Sequence, residues 1–170
     1  MEAHNLFGEF KLLIERVAIR EIERKEKDEF DRVWSNLLFE DFLDLGLKKG
    51  YEVEVRPAIV EEGQSMRLTP LVDVSWKKVR VNQLEGIELL LQCEWSKNLE
   101  LIEAAFTKLI VIESHFKIMI CQQLTEHDSK VLIEKLESMI VAFQSQQIVQ
   151  NFLIAVWVDD HFESKEIYCR

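Results

Sequence analysis

From Ile87 to its last residue, Arg170, the chain contains neither glycine nor proline. Those two residues make most turns, so a stretch this long without them has to run in ordered elements with few interruptions. The breakers gather upstream. Gly46, Gly50, Gly63 and Gly86 are four of the five glycines, and Pro57 and Pro70 are the only prolines. This distribution predicts strands and turns over 46–86, flanked by long regular elements.

Before the breakers the pattern is helical. Leu6, Phe10, Leu13 and Val17 recur at steps of four, three and four, with Asn5 as the capping residue. Almost every residue from Arg20 to Arg32 is charged. Glu21 with Lys25, Glu23 with Lys27 and Asp28 with Arg32 are acid-before-base pairs, each worth about 0.2–0.5 kcal/mol to a helix. A run of mixed sign reads as a solvated helix face. Phe30, Val33, Trp34, Leu37 and Leu38 rebuild the apolar stripe, and Phe42 and Leu45 continue it. Residues 5–46 therefore form one very long helix, or two joined near the charged run. The stripe from Leu6 to Val17 is narrow, and one small sheet would not cover all of it. That predicts a twofold homodimer with this stripe at or near the interface.

Strand signals follow. Tyr51, Val53 and Val55 alternate with Glu52, Glu54 and Arg56 as a half-buried edge strand stopped by Pro57. A turn falls around 61–63, and Leu68 to Trp76 reads as a second strand. Ile87 to Trp95 is a third, apolar enough to lie centrally with both faces covered. Asn98 caps a helix through Ser114, Phe116 to Cys121 is a short strand after a crossover, and Asp128 or Ser129 opens another helix. Phe152 to Val158 is strand-like, and 162–169 is a last edge strand. The order predicts one α/β domain over 1–170, a mixed central sheet flanked by helices. Its parts are a helical segment at 5–46, a core at 50–122, and a C-terminal helix and strands at 128–170.

Charge and cysteine usage narrow the function. The 21 basic and 31 acidic side chains give a net charge of −10, which repels nucleic acid and anionic membranes over most of the surface. A nucleic-acid site has to be a local basic patch, and Lys77, Lys78 and Arg80 with Lys97 form one. Cys93, Cys121 and Cys169 are odd in number and widely spaced, as free thiols in a reducing cytoplasm would be. No basic, apolar leader opens the chain, and no apolar run approaches the roughly 20 residues of a membrane span.

Three residues suggest chemistry. Alternation puts Gln92 and Glu94 on one face of the central strand, about 6.5–7 Å apart. Asp73, on the preceding strand, can point into the same space. Two carboxylates and an amide oxygen are an all-oxygen set of the kind that suits Mg²⁺ or Mn²⁺. Such an ion can bridge a scissile phosphate and acidify an attacking water. A rim aspartate bonded to a backbone N–H, beside partly exposed polar strand-end residues, is the plainer alternative. His115, His127 with Asp128, and the run Asp159-Asp160-His161 have no compelling ligand spacing. Trp34, Trp76, Trp95 and Trp157 read as core or interface residues rather than base-stacking platforms.

The run Pro70-Leu71-Val72-Asp73, then Glu88 to Asn98 with Gln92-Cys93-Glu94-Trp95-Ser96-Lys97, then an amphipathic helix and a short strand, resembles the restriction-endonuclease-like (PD-(D/E)xK) nuclease superfamily. The resemblance covers roughly residues 30–122. Asp73 matches the motif aspartate, Gln92 stands at the second acid, and Glu94 stands at the lysine. A subset of restriction endonucleases carries Glu in that last place, commonly followed by Trp and a polar turn. The resemblance implies a Mg²⁺- or Mn²⁺-dependent endonuclease acting on DNA. Asp73 and Glu94 would be metal ligands, and Asp73, Gln92, Glu94 and Lys97 the catalytic group. Glu40 and Lys108 would support them, while Lys77, Lys78 and Arg80 would bind phosphates. Two other readings stand beside it: an inactive nuclease-fold protein serving as an acidic interaction or immunity-type module, and a structural dimer module.

Overall fold

Period-two burial and period-3.6 burial divide the computed structural model into six strands and four helices among its described residues, 2–24, 30–56, 71–143 and 149–169. Helices α1 (Glu2–Arg24) and α2 (Phe30–Lys48) come first, and the Phe10 and Phe42 rings lie 5.7 Å apart, so the two pack on each other rather than run on as one helix. Strands β1 (Glu52–Val55), β2 (Val74–Arg80) and β3 (Gln83–Glu94) follow. Then come α3 (Leu99–Val111), β4 (Phe116–Gln122), α4 (Glu126–Phe143), β5 (Asn151–Val158) and β6 (His161–Tyr168). The strands form one mixed sheet in chain order, β1-β2-β3-β4-β5-β6. β3, β4 and β5 are parallel, joined through α3 and α4, and the remaining pairs are antiparallel.

The strand over 87–95 is interior, as its apolar run predicts. It starts earlier than expected, at Gln83, because the β2–β3 hairpin turns at Val81-Asn82 rather than at Gly86. Both turn residues have positive φ, 50° and 60°. Gly86 instead lies inside β3, next to one of two register shifts against β2. The second strand begins at Val74, not Leu68: Leu71 to Asp73 bend before it. The expected turn at 61–63 and the residues from Leu68 to Pro70 lie outside the described residues.

Alternation sorts the sheet into two cores. Val74, Trp76, Leu89, Leu91, Cys93, Ile118, Ile120, Leu153 and Trp157 face α1 and α2. Leu90, Met119, Cys121, Ile154, Val156 and Val158 face α3 and α4. The first core is aromatic. Phe10 meets Phe42, Trp76 and Phe116, while Trp34 packs against Trp95 and Trp157. All four tryptophans are therefore core residues. Trp76 Nε1 donates to Phe42 O at 3.1 Å, and Trp95 Nε1 donates to Ser35 Oγ at 2.7 Å, so two indoles tie α2 to the sheet.

The stripe expected to join two copies is used within one chain. Phe10 and Val17 are 0% exposed, Phe7 and Ile14 are buried with them, and Leu6 and Leu13 pack partly against the same core. A six-stranded sheet is wide enough to cover the helix face, which removes the argument for a dimer through it.

Candidate metal centre

The β2–β3 ladder brings two of the predicted residues, Asp73 and Gln92, together. Val74 pairs with Leu91, so the bend just before β2 sets Asp73 beside Gln92. The backbone holds it there: Asp73 N donates to Leu91 O at 3.1 Å, and Arg56 N donates to Asp73 O at 2.7 Å. Gln92 pairs with Met119 and Glu94 with Cys121, both in the core under α3 and α4, so the two side chains share that face of the sheet.

Asp73 is 5% exposed and Gln92 4%. Asp73 Oδ2 accepts from Gln92 Nε2 at 2.8 Å and from the Cys93 backbone N at 2.7 Å. Its Oδ1 faces Arg56 Nη1 at 3.4 Å. Burial pushes the Asp73 carboxyl above its usual range, opposed by the Cys93 amide, Arg56 and the charge of Lys108. Burial is the largest cause, and no neighbouring carboxylate contributes to it. Cys93 is raised well above a normal thiol, first by burial and then by the charges of Asp73, Cys121 and Glu94. It is an inert core residue.

The Gln92 amide has a fixed orientation, since Nε2 meets two acceptors, Asp73 Oδ2 and Cys93 O. Its Oε1 is thereby buried with no hydrogen-bond partner among the described residues. A buried acceptor left unpaired costs about 1–3 kcal/mol. An oxygen left in this state is available as one ligand to a cation, alongside the Asp73 carboxylate that the same side chain touches. Glu94 is half-buried, with Oε1 accepting from Ser96 N at 2.9 Å across the turn into α3. Asn98 then caps α3 by accepting from Glu100 N.

The remaining predicted residues divide. Lys97 is exposed on the loop after Glu94, and Lys108 lies in the last turn of α3, its charge felt at Asp73. Glu40 is exposed on α2, a helix that packs on the opposite face of the sheet, and does not join the group. Lys77, Lys78 and Arg80 run along β2 away from Asp73. Four to seven strand residues place them about 13–23 Å off at roughly 3.3 Å each. Lys77 and Arg80 also pair with Glu54 at 2.5 Å and Glu85 at 3.2 Å. The basic group expected beside the carboxylates is therefore at the other end of the hairpin. His115 pairs with Glu88 at 3.1 Å.

Arg56 is the residue the sequence reading missed. Its place after an alternating edge strand and before Pro57 is its only signal, and its function depends on β1–β2 pairing that no local pattern specifies. No family model, curated protein or solved structure matches the chain.

Proposed function

We propose that the chain is a divalent-metal-dependent phosphodiester hydrolase acting on DNA, with its centre at Asp73, Gln92 and Glu94. The observation that carries this reading is the buried Gln92 Oε1, which has no hydrogen-bond partner among the described residues, on an amide whose Nε2 donates to the Asp73 carboxylate. The order helix, three antiparallel strands, crossover helix, parallel strand supports it, as the nuclease resemblance implies that order. Asp73, Glu94 and the Gln92 amide oxygen would hold Mg²⁺ or Mn²⁺, which when bound polarises a phosphate and acidifies an attacking water. The Cys93 amide and Gln92 Nε2 fix the Asp73 carboxylate in place. Arg56 and Lys108 supply positive charge on a chain that otherwise repels phosphate.

A second reading rests on the same ion pair. With Arg56 already facing Asp73, the guanidinium can serve as a built-in counter-ion, and the centre is then a vestige in an acidic interaction or immunity-type protein. Calorimetric titration of Mn²⁺ and Mg²⁺, paired with cleavage of plasmid DNA, separates the two. The hydrolase reading expects binding and cleavage in wild type and loss of both in Asp73→Asn and Glu94→Gln. Binding lost in those variants without wild-type cleavage leaves the vestige. Neither binding nor cleavage overturns the metal centre.

A further inference from the structure

A second set of ligand-bearing side chains meets at the same end of the sheet. Glu126 lies in the first turn of α4, while His161 and Glu163 are the first and third residues of β6. An i, i+2 pair on a strand shares one face, and the partners Val158 and Val156 set that face toward α3 and α4. There α4 begins, and one ligand atom from each of the three side chains lies within 4.8 Å of the other two. We propose that Glu126, His161 and Glu163 form a binding site for a divalent transition-metal ion of the zinc class.

Four features argue for a cation. Two carboxylates converge, which repels unless a positive charge lies between them. The Glu163 side chain is only partly exposed and makes no hydrogen bond or ion pair among the described residues. Glu126 pairs with Lys130 at a loose 3.7 Å, and that lysine is 65% exposed, so a bound ion can displace it. His161 Nδ1 lies 3.3 Å from Asp160 Oδ1, the carboxylate–imidazole contact that commonly orients a metal-binding ring. One imidazole nitrogen with two carboxylate oxygens favours zinc-class ions over Mg²⁺ or Ca²⁺, and leaves coordination positions for water. The site is separate from the Asp73 group. Three interstrand steps divide β3 from β6, about 14 Å at 4.8 Å each. A bound ion would join the start of α4 to the tip of the β5–β6 hairpin.

The test is calorimetric titration of Zn²⁺ into full-length protein stripped with chelator, with thermal unfolding followed in parallel. A Cys169→Ser background removes the partly exposed thiol. One equivalent should bind at this site, in addition to any taken by the Asp73 group, and raise the unfolding midpoint by several degrees. His161→Ala and Glu163→Gln should each weaken binding tenfold or more, and Asp73→Asn should leave it unchanged. That last variant keeps failure here distinct from failure of the hydrolase centre. No Zn²⁺ binding at 100 μM, at roughly tens of micromolar protein, or equal binding in wild type and His161→Ala, overturns the proposal.

Discussion

Gln92 is where the ordinary logic of a buried amide is left incomplete. Its nitrogen is satisfied twice while its oxygen has no partner among the described residues, against an aspartate already raised by burial. Replacing it with glutamate puts a second carboxylate into that space and removes the donation to Asp73. Gln92→Glu should therefore lower the unfolding midpoint in chelator, yet gain more than wild type does on adding Mn²⁺. An equal Mn²⁺ response in the two proteins would mean the amide oxygen does not face an ion. Lys117 is a different case. It is 0% exposed, donates to Ile110 O at 3.0 Å and Gln150 Oε1 at 2.7 Å, and lies over the Phe152 ring. Burial lowers it to about 8, opposed by the charges of Cys169 and Glu113. The unfolded chain, with an ordinary lysine, then binds the extra proton between about pH 8 and 10.5, so stability rises with pH in that window. At about 1.4 kcal/mol per pKa unit the gain stays under about 3 kcal/mol. Urea unfolding from pH 7.5 to 10 should show this rise in wild type relative to Lys117→Met.

The elements most legible in the sequence were those with both period and length. β3, α3 and β4 stand within a few residues of their expected bounds, since an apolar run, an Asn98 cap and a second apolar run leave little alternative. The β2–β3 turn was not legible. Val81-Asn82 carries none of the usual glycine signal, and the glycine nearby, Gly86, sits within β3 instead. Val81 is 89% exposed at φ 50°, a left-handed conformation that costs a residue with a Cβ roughly 1–2 kcal/mol, and branching adds to this. Asparagine tolerates that region and suits the first position of such a two-residue turn. Val81→Asn should stabilise by about 1 kcal/mol, read as a higher urea midpoint at unchanged slope. A lower midpoint would mean that Val81 contributes packing its exposure does not show.

Across the whole molecule, the two features that sequence could not reach are long-range. Arg56 meets Asp73 only through β1–β2 pairing, and Glu126 meets His161 and Glu163 only because α4 starts where the β5–β6 hairpin ends. Charge is the global property that sequence does give, and it sets the last prediction. A net charge of −10 makes the folded chain repel itself, an effect that added salt screens within about 8–10 Å. Salt also weakens the surface pairs that cross-brace the layers, Lys11 with Glu166, Lys49 with Glu9 and Lys165 with Glu137. Exposed pairs contribute about 0–1 kcal/mol each, and these side chains are between a fifth and two-fifths exposed, so their loss is modest. Repulsion among the excess acids acts over the entire surface and should win. Raising NaCl from 10 to 500 mM should therefore raise the thermal midpoint. At equal ionic strength, Mn²⁺ should raise it further in wild type but less in Asp73→Asn, which separates bound ions from general screening. A midpoint that falls with NaCl would show the cross-bracing pairs outweigh the net repulsion.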